Sequence, residues 1–227
     1  MQNNDQQIDL GGLSFQRRLF SIFLRHFFKL LYHQFAWCYD LVAWVVSLGN
    51  WQKWVLSAIP YLKGPRVLEI GFGTGHLQLA AAQQAIVIFG LDESYQMTQI
   101  TQARLTHHGF HPRVLRGDAD KLPFMSESFS TIVMTFPSEY IFKPDTMAEI
   151  KRILVIGGRV VVLPLAWITG RSPLERLVAW INHITGQAPE WNPQALEPLI
   201  PAGFELAWEE TRLSRSKLII IQLIKVG

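Results

Sequence analysis

The chain has 227 residues, 49% of them hydrophobic and 17% charged, a length that suits one domain with a core large enough to stand without disulfides or metal staples. Its single cysteine, Cys38, excludes an internal disulfide and any multi-cysteine metal site and permits a reducing compartment. A net charge of +3 falls well short of a dedicated nucleic-acid binder.

Met1 to Leu13 is polar, is broken by Gly11-Gly12, and is expected to fray. From about Ser14 to Leu31, Leu19, Phe23, Phe27 and Leu30 recur at helical spacing, while Arg18, Arg25 and Lys29 gather on another face. Two more helical stretches follow, from about Phe35 to Val46 and from about Trp51 to Ile59, the second stopped by Pro60. The apolar run Leu41 to Leu48 is interrupted by Gly49, Asn50, Gln52 and Lys53, well before the ~20 residues a bilayer span requires. Met1 to Asp9 is too polar for a signal peptide, and Arg25 and Lys29 break the later apolar run. A cytoplasmic protein is expected, with the option of peripheral contact at a membrane.

After Lys63-Gly64-Pro65 the rhythm changes to alternating strands and helices. Strands are predicted at Arg66 to Ile70, Ile86 to Leu91, Arg113 to Arg116, Thr131 to Thr135 and Arg159 to Pro164. Helices are predicted at His76 to Gln84, about Tyr95 to His107, and Thr146 to Leu154, the last ended by Gly157-Gly158. This alternation argues for a parallel sheet with helices on both faces. A helical insertion is predicted at about Pro173 to Ile184 and another helix at Asn192 to Ile200. The tail ends in two strands, Phe204 to Leu213 and Lys217 to Lys225, whose short connection makes them antiparallel.

Three segments carry chemistry. In Val67-Leu68-Glu69-Ile70-Gly71-Phe72-Gly73-Thr74-Gly75-His76-Leu77 a strand enters a sharp turn and a helix leaves it. Glycines at alternate positions permit positive φ and the close approach of a ligand. The fingerprint for a dinucleotide wants glycine at the sixth position, where this chain has His76. That departure disfavours a pyrophosphate and suits a phosphate-free cofactor, S-adenosylmethionine (SAM), whose sulfonium and amino group a carboxylate such as Glu69 attracts. The second segment is Gly90-Leu91-Asp92-Glu93-Ser94, where Asp92 either accepts hydrogen bonds from ribose hydroxyls or caps the next helix. The third is Arg116-Gly117-Asp118-Ala119-Asp120-Lys121-Leu122-Pro123-Phe124. There Asp118 and the backbone at Ala119 either meet an adenine edge or form a surface Asx turn.

Together these segments resemble class I SAM-dependent methyltransferases and, within them, the type 11 group. The resemblance covers roughly Tyr39 to Pro164, is specific for the cofactor and is weak for the acceptor. It implies a Rossmann-like α/β fold with a seven-stranded, mostly parallel sheet, an antiparallel last strand and helices on both faces. A helical extension or lid, residues 1–63, would precede a methyltransferase domain, residues 64–227. It also implies that Gly71, Gly73 and Gly75 line the methionine end of SAM, that Asp92 holds the ribose, and that Asp118 and Ala119 hold the adenine. Glu69, Phe72, Glu93, Met97, Gly117 and Thr135 complete the expected cofactor set. The segment Met147-Ala148-Glu149-Ile150-Lys151-Arg152-Ile153-Leu154, followed by Gly157-Gly158-Arg159-Val160, is similar to the helix and fifth strand of this group, with its Pro-Gly-Gly turn altered to Ile156-Gly157-Gly158. Tyr39-Asp40 resembles the Tyr-Asp pair of quinone C-methyltransferases and lipid N-methyltransferases, in which the ring covers the cofactor. A core tyrosine on an amphipathic helix is the alternative.

The sulfonium methyl is already electrophilic, so catalysis needs in-line approach of the acceptor at about 3 Å and exclusion of water. A base is needed only where the acceptor must lose a proton. Glu139 and Tyr140, just past the fourth strand, either face the acceptor or are a surface carboxylate and a packed tyrosine. His76 either faces the pocket mouth or simply starts its helix. Thr135-Phe136-Pro137-Ser138-Glu139-Tyr140 is not the Asn/Asp-Pro-Pro-aromatic motif of base-directed enzymes, so no nucleic-acid partner is expected, and no metal. The expected acceptor is a small or hydrophobic molecule such as a lipid or quinone. The basic and aromatic N-terminal helix either touches an anionic membrane or packs over the sheet as a lid. Two other classes stay open: a nicotinamide-dependent oxidoreductase and a non-catalytic module with the same fold.

Overall fold

The computed structural model describes residues 39–170, 172–173, 175, 200 and 202–226. The helix expected at Ser14 to Leu31 lies outside them, as do those expected at Pro173 to Ile184 and Asn192 to Ile200 apart from Pro173, Glu175 and Ile200. In chain order come α1 (Tyr39–Val46), α2 (Trp51–Leu56), a 3-10 turn (Ile59–Tyr61), β1 (Val67–Ile70), α3 (His76–Gln83), β2 (Ile88–Asp92) and α4 (Tyr95–His107). Then follow β3 (Val114–Arg116), β4 (Phe129–Thr135), a second 3-10 turn (Glu139–Phe142), α5 (Pro144–Ile153), β5 (Leu154–Ile168), β6 (Phe204–Leu213) and β7 (Ser216–Lys225). The helix begun at Trp51 ends at Leu56, short of Pro60, which sits inside the separate 3-10 turn, where its fixed φ and missing N–H are tolerated.

The seven strands form one sheet in the order β3-β2-β1-β4-β5-β7-β6. Strands β1 to β5 pair in parallel, and β7 runs antiparallel to both β5 and β6. This is the expected α/β sheet with one reversed strand. Because crossover helices cover both faces, the central strands are buried throughout, β1 at every residue.

Two hydrophobic layers flank the sheet. On one face Ile132 and Met134 of β4 meet Met147, Ile150 and Ile153 of α5, whose spacing of three and four lays a stripe along that helix. On the other face Val133 meets Trp54 and Val55 of α2 and Leu77 and Ala81 of α3. A smaller cluster of Phe72, Met97, Leu105 and Val114 fills the space between α3, α4 and β3.

β5 is longer than the sequence suggests. It begins at Leu154, directly after α5, and its ladder with β4 jumps from Phe129↔Leu154 to Thr131↔Arg159. Gly157, at φ 73°, lets residues 155–158 bulge outward instead of ending the strand. The alternation along β4 also breaks at its end. Phe136 would fall on the α5 face by strict period two, but its φ of 50° turns it to the opposite face, where its ring stacks on Trp51 at 4.6 Å. That bend releases residues 137–140 across the C-terminal edge of the sheet.

Candidate functional site

The site forms where β1, β2, β3 and β4 end, beside the junction of β1 and β4 at which the strand order reverses direction. The loop 71–75 leaves β1 and enters α3. Gly71, Gly73 and Gly75 have φ of 75°, 54° and 78°, values that L side chains rarely adopt. At Gly75 a Cβ would also lie 2.5 Å from Thr101 Cγ2 of α4. The loop is pinned on several sides. Gly71 N–H donates to Leu91 O at 2.8 Å, Gly75 N–H donates to Phe72 O at 3.0 Å, and Thr101 Oγ1 donates to Gly73 O at 2.9 Å.

Asp92, buried at the end of β2, holds the middle of this loop. Its Oδ2 accepts from Gly73 N–H and its Oδ1 from Ser94 N–H, each at 2.9 Å. Ser94, not Asp92, caps α4, accepting from Met97 N–H at 3.3 Å. Glu69 is buried on β1 and accepts from Gln78 Nε2 at 2.9 Å, the same amide that donates to Phe89 O at 3.1 Å. Burial pushes the Glu69 carboxyl up to about 8; the Gln78 hydrogen bond opposes the rise, and the negative charge of Asp92 adds to it. The buried Asp92 carboxylate beside an open backbone cradle disfavours a pyrophosphate and suits a ligand carrying positive charge.

Tyr140 lies across the mouth of the loop. Its hydroxyl donates to Ile70 O at 3.3 Å and would stand 3.0 Å from a Cβ on Gly71. Burial, reinforced by the negative charges of Asp92, Glu69 and Glu93, holds the phenol well above its ordinary pKa, so Tyr140 keeps its proton and serves as a donor rather than a base. Glu139 opens the 3-10 turn beside it, and its side chain lies outside the described residues. So does the side chain of Tyr39, the first residue of α1. Thr135, half-buried, closes β4 opposite Leu163 of β5.

The loop after β3 approaches from the far side. Gly117 N–H donates to Asp92 O at 3.0 Å, and a Cβ there would lie 2.8 Å from Leu91 Cδ1. Asp118 is exposed and accepts from Asp120 N–H at 3.0 Å, the Asx turn weighed from the sequence; Ala119 is buried in the α5-side core. Asp120 then binds Lys143 Nζ at 2.6 Å and Thr146, while Arg152 and Glu149 of α5 grip the backbone of Leu122 and Phe124. Glu93 is exposed, with its carbonyl accepting from Arg116 Nε at 3.0 Å. The side chains of Phe72, in the glycine loop, and Met97, on α4, are buried in the cluster with Leu105 and Val114.

Sequence reasoning missed a polar group at the entrance. Thr74 Oγ1 donates to Asp40 Oδ1 at 2.6 Å, Arg104 Nη2 donates to Asp40 Oδ2 at 2.8 Å, and His76 Nε2 lies 3.1 Å from Asp40 Oδ1. Arg104 Nη1 lies 2.7 Å from His76 Nδ1. Burial raises the Asp40 pKa, but hydrogen bonds from His76, Thr74 and Arg104 outweigh it and hold the carboxyl well below its ordinary range. Arg104 and Thr101 stand three residues apart on α4, a helical spacing that marks one face without naming its partners.

The buried Glu69 makes a testable demand on stability. The folded chain keeps the Glu69 proton up to about 8, whereas an unfolded glutamate releases it near ~4.3. The unfolded state thus binds fewer protons across that window, and stability falls as pH rises through it. Urea melts at several pH values should show Glu69→Gln gaining on the wild type as pH rises from about 4 toward 8. Parallel profiles for the two proteins would mean that Glu69 is ionised throughout.

Comparison with known proteins fits this architecture. Residues 67–158 match the methyltransferase domain family. The demethylmenaquinone methyltransferase of Thermobifida fusca is 27% identical over 144 residues, 60% of this chain and 59% of that protein. The phosphatidylethanolamine N-methyltransferase of Cereibacter sphaeroides is 32% identical over 104 residues, 44% of this chain and 51% of that one. A SAM-dependent methyltransferase structure from Thermotoga maritima superposes with a TM-score of 0.53 at 23% identity, covering 92% of this chain and 98% of its own. The chain thus spans about half to three-fifths of the length of the curated relatives named. Residues 67–158 are thus similar to a methyltransferase domain, and the seven-stranded sheet that carries them shares its fold with the Thermotoga maritima structure.

Proposed function

We propose that this chain transfers a methyl group from SAM to a hydrophobic, lipid-like acceptor, and that residues 1–63 form a helical extension over a methyltransferase domain of residues 64–227. The observation that carries the reading is the cradle of Gly71, Gly73 and Gly75 flanked by the buried carboxyls of Glu69 and Asp92. These residues suit the cofactor: the loop backbone admits close approach, Asp92 offers counter-charge to a cation, and Glu69 offers it on losing its proton. In this reading Glu69 faces the methionine end. Asp92, at the end of β2, accepts from ribose hydroxyls. Asp118, with the backbone of Gly117 and Ala119, meets the adenine edge. Tyr39 and Thr135 border the mouth.

Bound SAM supplies an electrophilic methyl that needs no further activation. The work left to the protein is orientation and the exclusion of water. Tyr140, whose single hydroxyl proton is held on Ile70 O, borders the acceptor and orients it by packing. Glu139, at the start of the same turn, is the candidate to receive a proton where the acceptor must lose one.

Both relatives named above act, by their names, on lipid-like molecules. The outer face of α1 agrees with such an acceptor, since Leu41, Trp44 and Val45 are each more than half exposed. They continue an N-terminal stretch that carries Arg17, Arg18, Arg25 and Lys29 among phenylalanines. Among the described residues no helix is long and apolar enough to cross a membrane, and we propose peripheral contact of this face with an anionic bilayer.

A nicotinamide-dependent oxidoreductase is disfavoured by the carboxyl pair and by His76 at the sixth motif position. Incubation with methyl-labelled SAM and a lipid extract should place label in an organic-phase product. Asp92→Asn should lose at least tenfold in SAM affinity, at the scale of one charged hydrogen-bonding partner. Tight NADH binding, or SAM binding without transfer to any acceptor, would reverse the reading. Sedimentation with anionic vesicles should carry the protein down, and Trp44→Ser together with Arg18→Gln and Arg25→Gln should leave it in the supernatant. Equal sedimentation of wild type and variant would remove the membrane contact.

A further inference from the structure

Helix α1 is thinly packed. Among residues 40–46 only Ala43 is buried, and Leu41, Trp44, Val45 and Val46 are exposed. Apolar burial therefore gives this helix little hold on the domain. Its polar hold is concentrated at one side chain. Asp40 reaches the glycine loop through Thr74, the start of α3 through His76, and α4 through Arg104.

The direction of every proton in this group follows from chemistry. A guanidinium has only donors and stays charged in proteins. Arg104 Nη1, at 2.7 Å, therefore donates to His76 Nδ1. Nδ1 carries the lone pair, the ring proton sits on Nε2, and Nε2–H donates to Asp40 Oδ1. Thr74 Oγ1 and Arg104 Nη2 donate to the same carboxylate. All three neighbours thus point donors at Asp40, and nothing else in the group accepts from all of them. Thr74 lies between Gly73 and Gly75, so its bond to Asp40 also fixes the orientation of the loop. One turn earlier on α4, Thr101 holds Gly73 O. A single helix face braces the loop and secures the latch.

We propose that Asp40 is a positioning residue: it latches α1 to the glycine loop and holds both in the arrangement that takes up SAM. The inference rests on the reading of this loop as the SAM site. The side chains of Asp40, Arg104 and His76 are 38%, 21% and 19% exposed, so solvent moderates the strength of the group without cancelling it.

The test combines hydrogen exchange, which needs no ligand, with SAM titration calorimetry on the full chain. In Asp40→Asn and in Arg104→Met, amides of α1 should exchange about tenfold faster, while those of β1 and β4 keep their protection. SAM affinity should fall by about tenfold. Arg104→Lys, which keeps a charge for Asp40 but cannot serve His76 as well, should fall between Met and wild type and guards against a fold defect in the harsher variants. Unchanged α1 exchange would overturn the latch. Faster α1 exchange with undiminished SAM affinity would overturn its role in cofactor uptake. A wild type that takes up no SAM would instead end the reading of the loop, which the exchange data report separately.

Discussion

The carboxylate of Asp92 is the point on which the site turns. It sits at the end of β2, one register step beyond the pairing of Ile70 with Leu91, and reaches sideways to Gly73 N–H on the neighbouring loop. A buried carboxylate must be met by donors, and here the donors are backbone groups whose positions define the cradle. Glu69 lies close enough that the two carboxyls oppose each other's ionisation, and the conflict is relieved by keeping a proton on Glu69. With Glu69 neutral, the negative potential stored at the mouth of the sheet is that of Asp92. That stored potential selects a cation over a phosphate and gives the glycine loop its chemical meaning.

Helices α1 and α2 are fastened to the glycine loop and to the end of β4. Asp40 of α1 takes the glycine loop and Trp51 of α2 takes the end of β4, by stacking on Phe136. The second contact depends on a bulky residue in left-handed backbone, a conformation that costs on the order of 1–2 kcal/mol. It persists because Trp51 and Trp54 both receive the ring and the Phe136 N–H donates to Leu163 O at 2.7 Å. The same bend directs residues 137–140 toward Ile70, where Tyr140 comes to rest. Both helices thus touch the chemistry through loop geometry.

Much of this was legible in the sequence because it is local. The strand–glycine–helix string, the acidic residue at the end of β2 and the two-strand tail are each set by neighbours a few residues away, and they fall where the pattern puts them. What was not legible depends on direction or distance. Phe72 and Met97 occupy positions next to the site, yet their side chains are buried in the α3–α4 cluster, a placement set by tertiary packing. Gly157-Gly158 reads as a stop, and the structure uses it as a bulge since β4 is there to pair with the chain on both sides. Asp40 meets partners 34 to 64 residues away, and no spacing rule within one element announces such a meeting. The αL turn at Phe136 is likewise a tertiary outcome, held by aromatic rings that arrive from α2.

The pairing of buried Glu69 with Asp92 in one cradle is read through the proton that burial keeps on Glu69. Titration calorimetry with SAM at pH 7, in two buffers of different ionisation enthalpy, reads that proton directly. The account predicts a net release of protons on binding, abolished in Glu69→Gln. Binding with no proton exchange, or with the same exchange in the variant, would contradict it.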